Sequence, residues 1–122
     1  MRKEMESSLI EIVVPVLRQL GFKGSFPHFR RLTPNRINLL TFQFDRHGGG
    51  FVIEIANAKN EKFKGYGDVE IEPNKLTAHD LTNRTRIQAN MKTEDSLTDD
   101  WFRYDKKYLL GFGDIYRKVS TL

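Results

Sequence analysis

The chain has 122 residues, of which 39% are hydrophobic and 30% are charged, and it contains no cysteine. This length and composition are typical of one globular domain, so we expect residues 1–122 to fold as a single domain. The lack of cysteine excludes disulfides, thiolate metal sites and cysteine nucleophiles, and it favours a cytoplasmic location. The longest apolar run, residues 9–14, is interrupted by Glu11 and is too short to cross a membrane, so no membrane association is predicted.

The net charge of +4 is spread along the chain without a basic block. It amounts to +4 over residues 1–40, −2 over residues 41–80 and +2 over residues 81–122. Nucleic-acid-binding proteins usually concentrate positive charge in one stripe or on one face. The distribution therefore indicates a soluble protein and disfavours nucleic acid as the partner.

The first element in chain order is an amphipathic helix over residues 5–20, followed by Gly21 as its C-terminal residue. Pro15 falls on the polar side of this helix, where water can satisfy the carbonyl of Glu11 that proline leaves unpaired. We therefore expect a helix that curves around the core with Pro15 in water. The apolar side consists of Met5, Leu9, Ile12, Val13, Val16, Leu17 and Leu20.

Downstream, the apolar pattern changes to a period of two, which is typical of strands. Pro27 weakens the first predicted strand, because proline is tolerated only in an edge strand or among the first residues of a strand. A turn is predicted at residues 33–36 and a glycine-rich hairpin loop at residues 45–50. The predicted strands are Phe26–Leu32, Ile37–Phe44, Phe51–Ala56, a short one at Asp68–Glu72, and Arg84–Gln88.

The C-terminal region is harder to assign. Asp99–Tyr108 fits either a short helix or a strand, and Asp114–Val119 fits one further helical turn. The predicted fold class is therefore α+β, with the N-terminal helix packed on an antiparallel sheet of about four or five strands and a short helical or extended C-terminal segment. The helix residues Leu9, Ile12, Val13, Val16 and Leu20 should meet the sheet face that carries Phe51, Ile53 and Ile55.

Several short segments occur together in an order that a known family shares. They are Pro15-Val16-Leu17, Leu20-Gly21-Phe22-Lys23, Phe29-Arg30, the strands Ile37–Phe44 and Phe51–Ala56, Arg84-Thr85-Arg86-Ile87 and Asp100-Trp101-Phe102. Over about residues 5–105 the chain resembles the bacterial family known as domain of unknown function 4304. The resemblance implies a small α+β domain and no particular activity.

The three histidines, His28, His47 and His79, are separated by 19 and 32 residues, which is not the spacing of a metal site on one element. No cofactor or metal is therefore predicted, and no catalytic set is recognised. An enzyme that brings together dispersed residues such as His28, His47 and Glu54 is kept as an alternative, because folding can join residues that are distant in sequence.

Glu54 interrupts an apolar strand, and its role depends on how the sheet is covered. If one face is covered, Glu54 faces water. If both faces are covered, it is a buried acid that needs a partner, and Arg84 or Arg86 on a neighbouring strand would supply one. We prefer the first arrangement.

Arg30, Arg31 and Arg36 flank one turn beside Phe26 and Phe29, a mixture that in other proteins binds single-stranded nucleic acid. The alternative, which we prefer, is that the phenylalanines belong to the core and the arginines line a solvated strand edge.

Two further segments are candidate binding residues. Arg46 and His47 precede three glycines whose amides could hold an anion, but a strand follows them instead of a helix, so a plain hairpin tip is preferred. Trp101 is either an exposed anchor for a partner or a core residue, and core packing is the simpler interpretation.

The leading functional hypothesis is a small non-catalytic binding or protein-interaction module whose partner is another protein. The alternatives are the enzyme with dispersed His and Glu residues and a weak nucleic-acid binder that uses the Arg30–Arg36 region. The sequence does not determine the oligomeric state.

Overall fold

The computed structural model describes residues 2–87 and 102–103. Two consecutive helices, α1 (Arg2–Ile12) and α2 (Val14–Gln19), precede the strands. The strands are β1 (Lys23–Ser25), β2 (His28–Leu32), β3 (Arg36–Phe44), β4 (Gly50–Lys59), β5 (Phe63–Lys64), β6 (Glu70–Ile71), β7 (Thr85–Ile87) and β8 (Phe102–Arg103). Three short 3₁₀ helices span Tyr66–Asp68, Pro73–Lys75 and Ala78–Asp80.

The predicted N-terminal helix is present, but it is broken at Val13 instead of being evenly curved. Pro15 lies in the first turn of α2, where its missing N–H group would have no helical partner in any case. A new helix start therefore accommodates Pro15 without loss. At the other end Gly21 has a φ of +93°, and the Phe22 amide donates to the Leu17 carbonyl at 2.9 Å, as expected for a helix that ends in a left-handed residue.

Five antiparallel strands follow one another in the sheet in the order β1-β2-β3-β4-β7, and β8 also pairs with β4. This confirms the predicted α+β class and strand number. The first predicted strand begins later than expected, at His28, because Phe26 and Pro27 form the turn between β1 and β2 through a cis peptide bond. Phe102–Arg103, inside the segment predicted as either helix or strand, is a strand. Asp114–Val119 lies outside the described residues.

The helices cover one face of the sheet as predicted. Leu9, Val13 and Leu17 are fully buried against a layer formed by β2, β3 and β4. Ile12 is the exception, since 43% of it is exposed, because it sits at the margin of the buried side, about 100° around the helix from Val13. The sheet residues of this core are Phe29, Leu40, Phe42, Phe51, Ile53, Ile87 and Phe102.

The opposite face of the sheet is also covered, by the connection between β4 and β7. Leu76 and Ala78 from this connection are fully buried against Ile37, Leu39 and Ala56. The β5–β6 hairpin contributes two partly buried residues to the same cluster. The sheet therefore has a core on each side, and β3 and β4 are its central strands.

Within residues 2–87, neither helix has the length and apolar character needed to span a lipid bilayer.

Candidate functional site

A row of four polar side chains crosses the sheet on the face turned away from the helices. His28, Thr41, Glu54 and Arg86 are directly opposite one another in β2, β3, β4 and β7. Thr41 is fully buried and Glu54 is 3% exposed. Polar groups that are buried this deeply need hydrogen-bond partners, and neighbouring residues of the row supply them.

Glu54 is held by two arginines. Arg86 Nη2 donates to Glu54 Oε1 at 3.1 Å, and Arg84 Nε lies 3.7 Å from Glu54 Oε2. The expectation that Glu54 faces water is therefore wrong, because the β4–β7 connection covers this face, and the arrangement with Arg84 and Arg86 applies instead. Each oxygen of this buried carboxylate thus has a guanidinium nearby, which is the pairing that a buried charge needs.

His28 stands at the other end of the row. Its Nδ1 lies 2.9 Å from Thr41 Oγ1, and its ring packs edge-on against that of His79, with 5.5 Å between the ring centroids. Burial lowers the pKa of His28, the charges of His79 and Arg30 lower it further, and Asp80 acts in the opposite direction. His79 is positioned by the 3₁₀ helix that follows Thr77, whose amide donates to Asp80 Oδ2 at 2.9 Å.

A cavity of about 360 Å³ opens beside His28, at the edge of the sheet where β2 begins. α1 borders it from the helix side of the sheet, and His79 borders it from the other side. Three phenylalanines and two histidines form most of its wall. We call it the histidine cavity; its lining residues are Arg2, Glu6, Phe26, Pro27, His28, Phe42, Gln43, Phe44 and His79.

The three arginines of the predicted basic region do not share a face. Arg30 Nε donates to the Leu76 carbonyl at 3.1 Å on the side of the β4–β7 connection. Arg31 Nη1 donates to the Leu20 carbonyl at 3.0 Å, at the end of the helices. Arg36 is exposed at the turn into β3. Alternate residues of a strand point to opposite faces, so the sequence neighbours Arg30 and Arg31 are separated by the sheet.

Arg46 and His47 lie in the loop between β3 and β4, both exposed. The Asp45 carboxylate accepts a hydrogen bond from the His47 amide at 2.9 Å, which is a common way to stabilise a turn. A strand follows this loop, as the hairpin prediction required. Trp101 lies outside the described residues.

The residues of the alternative enzyme do not converge. His28 and Glu54 are on strands separated by β3, which places them roughly 10 Å apart across the sheet. His47 lies in the β3–β4 loop, six residues after Thr41 of the polar row. In the described part of the chain, no group of three or more His, Asp or Glu side chains is arranged to hold a metal ion.

The tip of the β5–β6 hairpin, residues 65–69, is a second candidate site. Tyr66 is 95% exposed and Val69 is 59% exposed. The Gly65 amide donates to the Val69 carbonyl at 2.8 Å and closes the tip, while Asp68 has a left-handed φ of 60°. A cleft of about 420 Å³ lies beside the tip and is lined in part by Tyr66, Phe63 and Leu81.

Sequence reasoning missed Tyr66 and the contact between His28 and His79. The two histidines are 51 residues apart, and no local pattern reports their proximity. For Tyr66 a signal was present, because the ring stands between Gly65 and Gly67 in a segment without apolar periodicity. An aromatic residue flanked by glycines in such a segment indicates an exposed turn.

No curated protein and no solved structure matches the chain. A sequence model of the family described as Domain of unknown function (DUF4304) matches residues 13–109. This match covers most of the chain, includes all the strands that the structure describes, and extends slightly beyond the C-terminal end of the resembling segments. The chain therefore belongs to this family of domains of unknown function.

Proposed function

We propose that this domain is a non-catalytic module that binds another protein through the hairpin tip, residues 65–69. The observation that carries the proposal is the 95% exposure of Tyr66. Every phenylalanine ring in the part of the chain that the structure describes is buried or half-buried. Tyr66 thus presents a large ring to water although the fold has the means to bury aromatic rings.

Tyrosine is one of the residues that most often dominate the binding energy of protein interfaces. A tyrosine contributes a large contact area and loses little conformational entropy on binding, because its side chain has few rotatable bonds. Its hydroxyl can form a hydrogen bond at the rim of the interface. Val69 lies on the same tip and adds apolar surface. Together they form an apolar centre of the kind found in the middle of an interface.

Charged side chains surround this centre. Lys62 Nζ lies 3.8 Å from Glu70 Oε2 and 3.6 Å from Glu72 Oε1, so the positive charge is partly neutralised within the hairpin. Residues 61–72 carry two lysines and four carboxylates, a net charge of −2. This sign disfavours nucleic acid and anionic lipid, and it favours a protein whose apolar pocket has a basic rim.

The cleft beside Tyr66 extends the same surface. Phe63 and Leu81 give it an apolar floor, and it is large enough to receive a side chain from the partner while Tyr66 enters the partner's pocket. The alternative enzyme lacks comparable support, because His28 and Glu54 are on strands separated by β3 and Glu54 is engaged by two arginines.

The test is affinity capture from a lysate of the source cells with three baits. Wild type and Ile10→Ala should retain the same partner, and Tyr66→Ala should lose it. Ile10 is a matched control because it is also an exposed apolar residue, but it lies on α1. Retention of the partner by Tyr66→Ala would contradict the proposal.

Light scattering of the purified protein distinguishes a second copy from a different partner. If wild type self-associates and Tyr66→Ala is monomeric, the hairpin tip binds a second copy of this chain. The proposal of a different protein with a basic rim is then wrong. If wild type and Tyr66→Ala have the same mass in solution, the hairpin tip does not bind a second copy. A different protein is then the proposed partner.

A further inference from the structure

We propose that the histidine cavity binds a small organic carboxylate with an aromatic body. This site shares no residue with the hairpin tip. The ligand-binding proposal is therefore independent of the protein-binding proposal. The cavity volume of about 360 Å³ lies in the range of pockets that hold small ligands. Its two kinds of wall, aromatic and basic, indicate the two parts of the ligand.

The aromatic wall is formed by three phenylalanines. Phe26 stacks on Phe42 with 5.2 Å between the ring centroids, and Phe44 meets Phe26 edge-on at 6.2 Å. These rings are held in place because Phe42 is part of the core under the helices. A flat apolar body is the shape that packs best against such rings.

The basic wall is formed by His28 and His79. Since Nδ1 of His28 is engaged by Thr41, Nε2 is the nitrogen that can meet a ligand, and within residues 2–87 and 102–103 it has no hydrogen-bond partner. Thr41 is fully buried and fixes the orientation of the ring. The Arg2 guanidinium lies over the Phe44 ring at 4.7 Å, on the α1 side of the cavity.

The other charged groups around the two histidines balance one another. Arg2 and Glu6 border the cavity from α1, with Arg2 Nε donating to Glu6 Oε1 at 3.0 Å. Arg30 and Asp80 act on His28 from β2 and from the 3₁₀ helix, with opposite signs. The protonation of His28 therefore changes the charge of the site.

A carboxylate fits this site better than a metal ion does. Two imidazoles with centroids 5.5 Å apart repel each other when both are protonated, and a carboxylate beside them removes that repulsion. A metal ion would find two histidine ligands, whereas protein metal sites usually supply at least three, and no such group exists among the described residues. An anion with an aromatic body can pair its charge with the histidines and pack its ring against the phenylalanines.

Binding should depend on pH with a definite sign. Holding the carboxylate favours the protonated histidine, so binding takes up a proton and the affinity rises as pH falls. Benzoate stays ionised above about pH 5. A charge-assisted hydrogen bond contributes enough to change affinity roughly tenfold, so we expect about that gain between pH 8 and pH 5.5.

The experiment is a titration of the ¹⁵N-labelled full chain with benzoate, followed by amide chemical shifts, with benzamide as the uncharged compound of the same shape. We expect saturable shifts centred on Phe26, His28, residues 42–44 and His79, and binding by benzamide at least about tenfold weaker. Absence of saturable shifts, equal binding of benzamide, or shifts centred elsewhere would overturn the proposal.

A pair of histidine variants locates the ligand. His79→Ala should weaken benzoate binding about tenfold or more. His47→Ala should bind like wild type, because His47 is not among the residues that line the cavity. Both side chains are exposed, so neither change should prevent folding. Unchanged affinity in His79→Ala, or an equal loss in His47→Ala, would show that the cavity is not the binding site.

Discussion

Glu54 is the charged residue that the fold buries most deeply among those described. Its two arginines are not equivalent: Arg86 reaches it by a hydrogen bond of 3.1 Å, whereas the Arg84 Nε remains at 3.7 Å. Both arginine side chains keep about a quarter to a third of their surface in water. The pair that matters for stability should therefore be Glu54 with Arg86.

Replacing each arginine by glutamine tests this difference. Arg86→Gln removes the charge-assisted hydrogen bond to the buried Glu54 carboxylate, whose arginine partner is partly exposed, and should lower the free energy of unfolding by about 2 kcal/mol. Arg84→Gln should lower it by under about 1 kcal/mol, because the contact is longer and more exposed. Urea denaturation of both variants measures the two values, and equal losses would contradict the assignment.

His28 makes a separate prediction about pH. Because the fold lowers its pKa, the unfolded chain binds the proton more readily, so this residue contributes stability that is complete above about pH 6.5 and declines as pH falls. His28→Asn keeps an amide near the Thr41 hydroxyl and removes the titrating ring. We expect the free energy of unfolding to decline less between pH 7.5 and pH 5.5 in the variant than in wild type. A decline of the same size in both would contradict this account.

At the scale of elements, periodic segments could be predicted and irregular ones could not. Local residue spacing was enough to predict the helix face with Leu9 and Val13, the turn at residues 33–36 and the long β3–β4 hairpin. Such spacing shows which side of an element is apolar, but it does not show what covers the other side. The β4–β7 connection consists of pieces of two or three residues without a period, although it covers the second face. Its cover is the reason that the expectation for Glu54 was wrong.

The β1–β2 hairpin depends on Gly24, which lies in β1 opposite Phe29. Its φ is +119°, and a Cβ atom there would lie 2.6 Å from the His28 carbonyl oxygen, a backbone atom that cannot move aside. Gly24→Ala should therefore lower the free energy of unfolding by about 2 kcal/mol or more.

Gly65 provides the matched control, because its Cβ would meet ordinary contacts and its φ of −89° suits any residue. Gly65→Ala should change the free energy of unfolding by less than about 0.5 kcal/mol. Thermal and urea denaturation compare the two variants. A Gly24→Ala protein as stable as Gly65→Ala would contradict the described close approach of β1 to β2.

At the scale of the whole molecule, the neighbouring arginines of the predicted basic region, Arg30 and Arg31, are divided between the two faces of the sheet. Arg30 and Arg31 are engaged by carbonyl groups on opposite sides of the sheet, and the hairpin tip is surrounded by net negative charge. The sequence showed the arginines as neighbours, and the alternation of a strand separates them. Contacts between distant segments, such as His28 with His79, have no counterpart in local sequence.

This division predicts weak binding to nucleic acid. Fluorescence anisotropy with a labelled single-stranded 20-mer should show no saturation below about 100 μM protein at 150 mM salt, since Arg30 and Arg31 lie on opposite faces of the described sheet and do not form one basic surface. Arg36→Gln should bind like wild type. Saturation in the low micromolar range, with a steep loss on added salt, would support the nucleic-acid hypothesis instead.

The most direct test of the central claim is the affinity of the purified partner for wild type, Tyr66→Ala and Ile10→Ala, measured by isothermal titration calorimetry. If Tyr66 anchors the interface, its removal should weaken the Kd at least about thirtyfold, or about 2 kcal/mol, while Ile10→Ala stays within about threefold of wild type. A change of less than about threefold for Tyr66→Ala would contradict the claim that the hairpin tip is the binding surface.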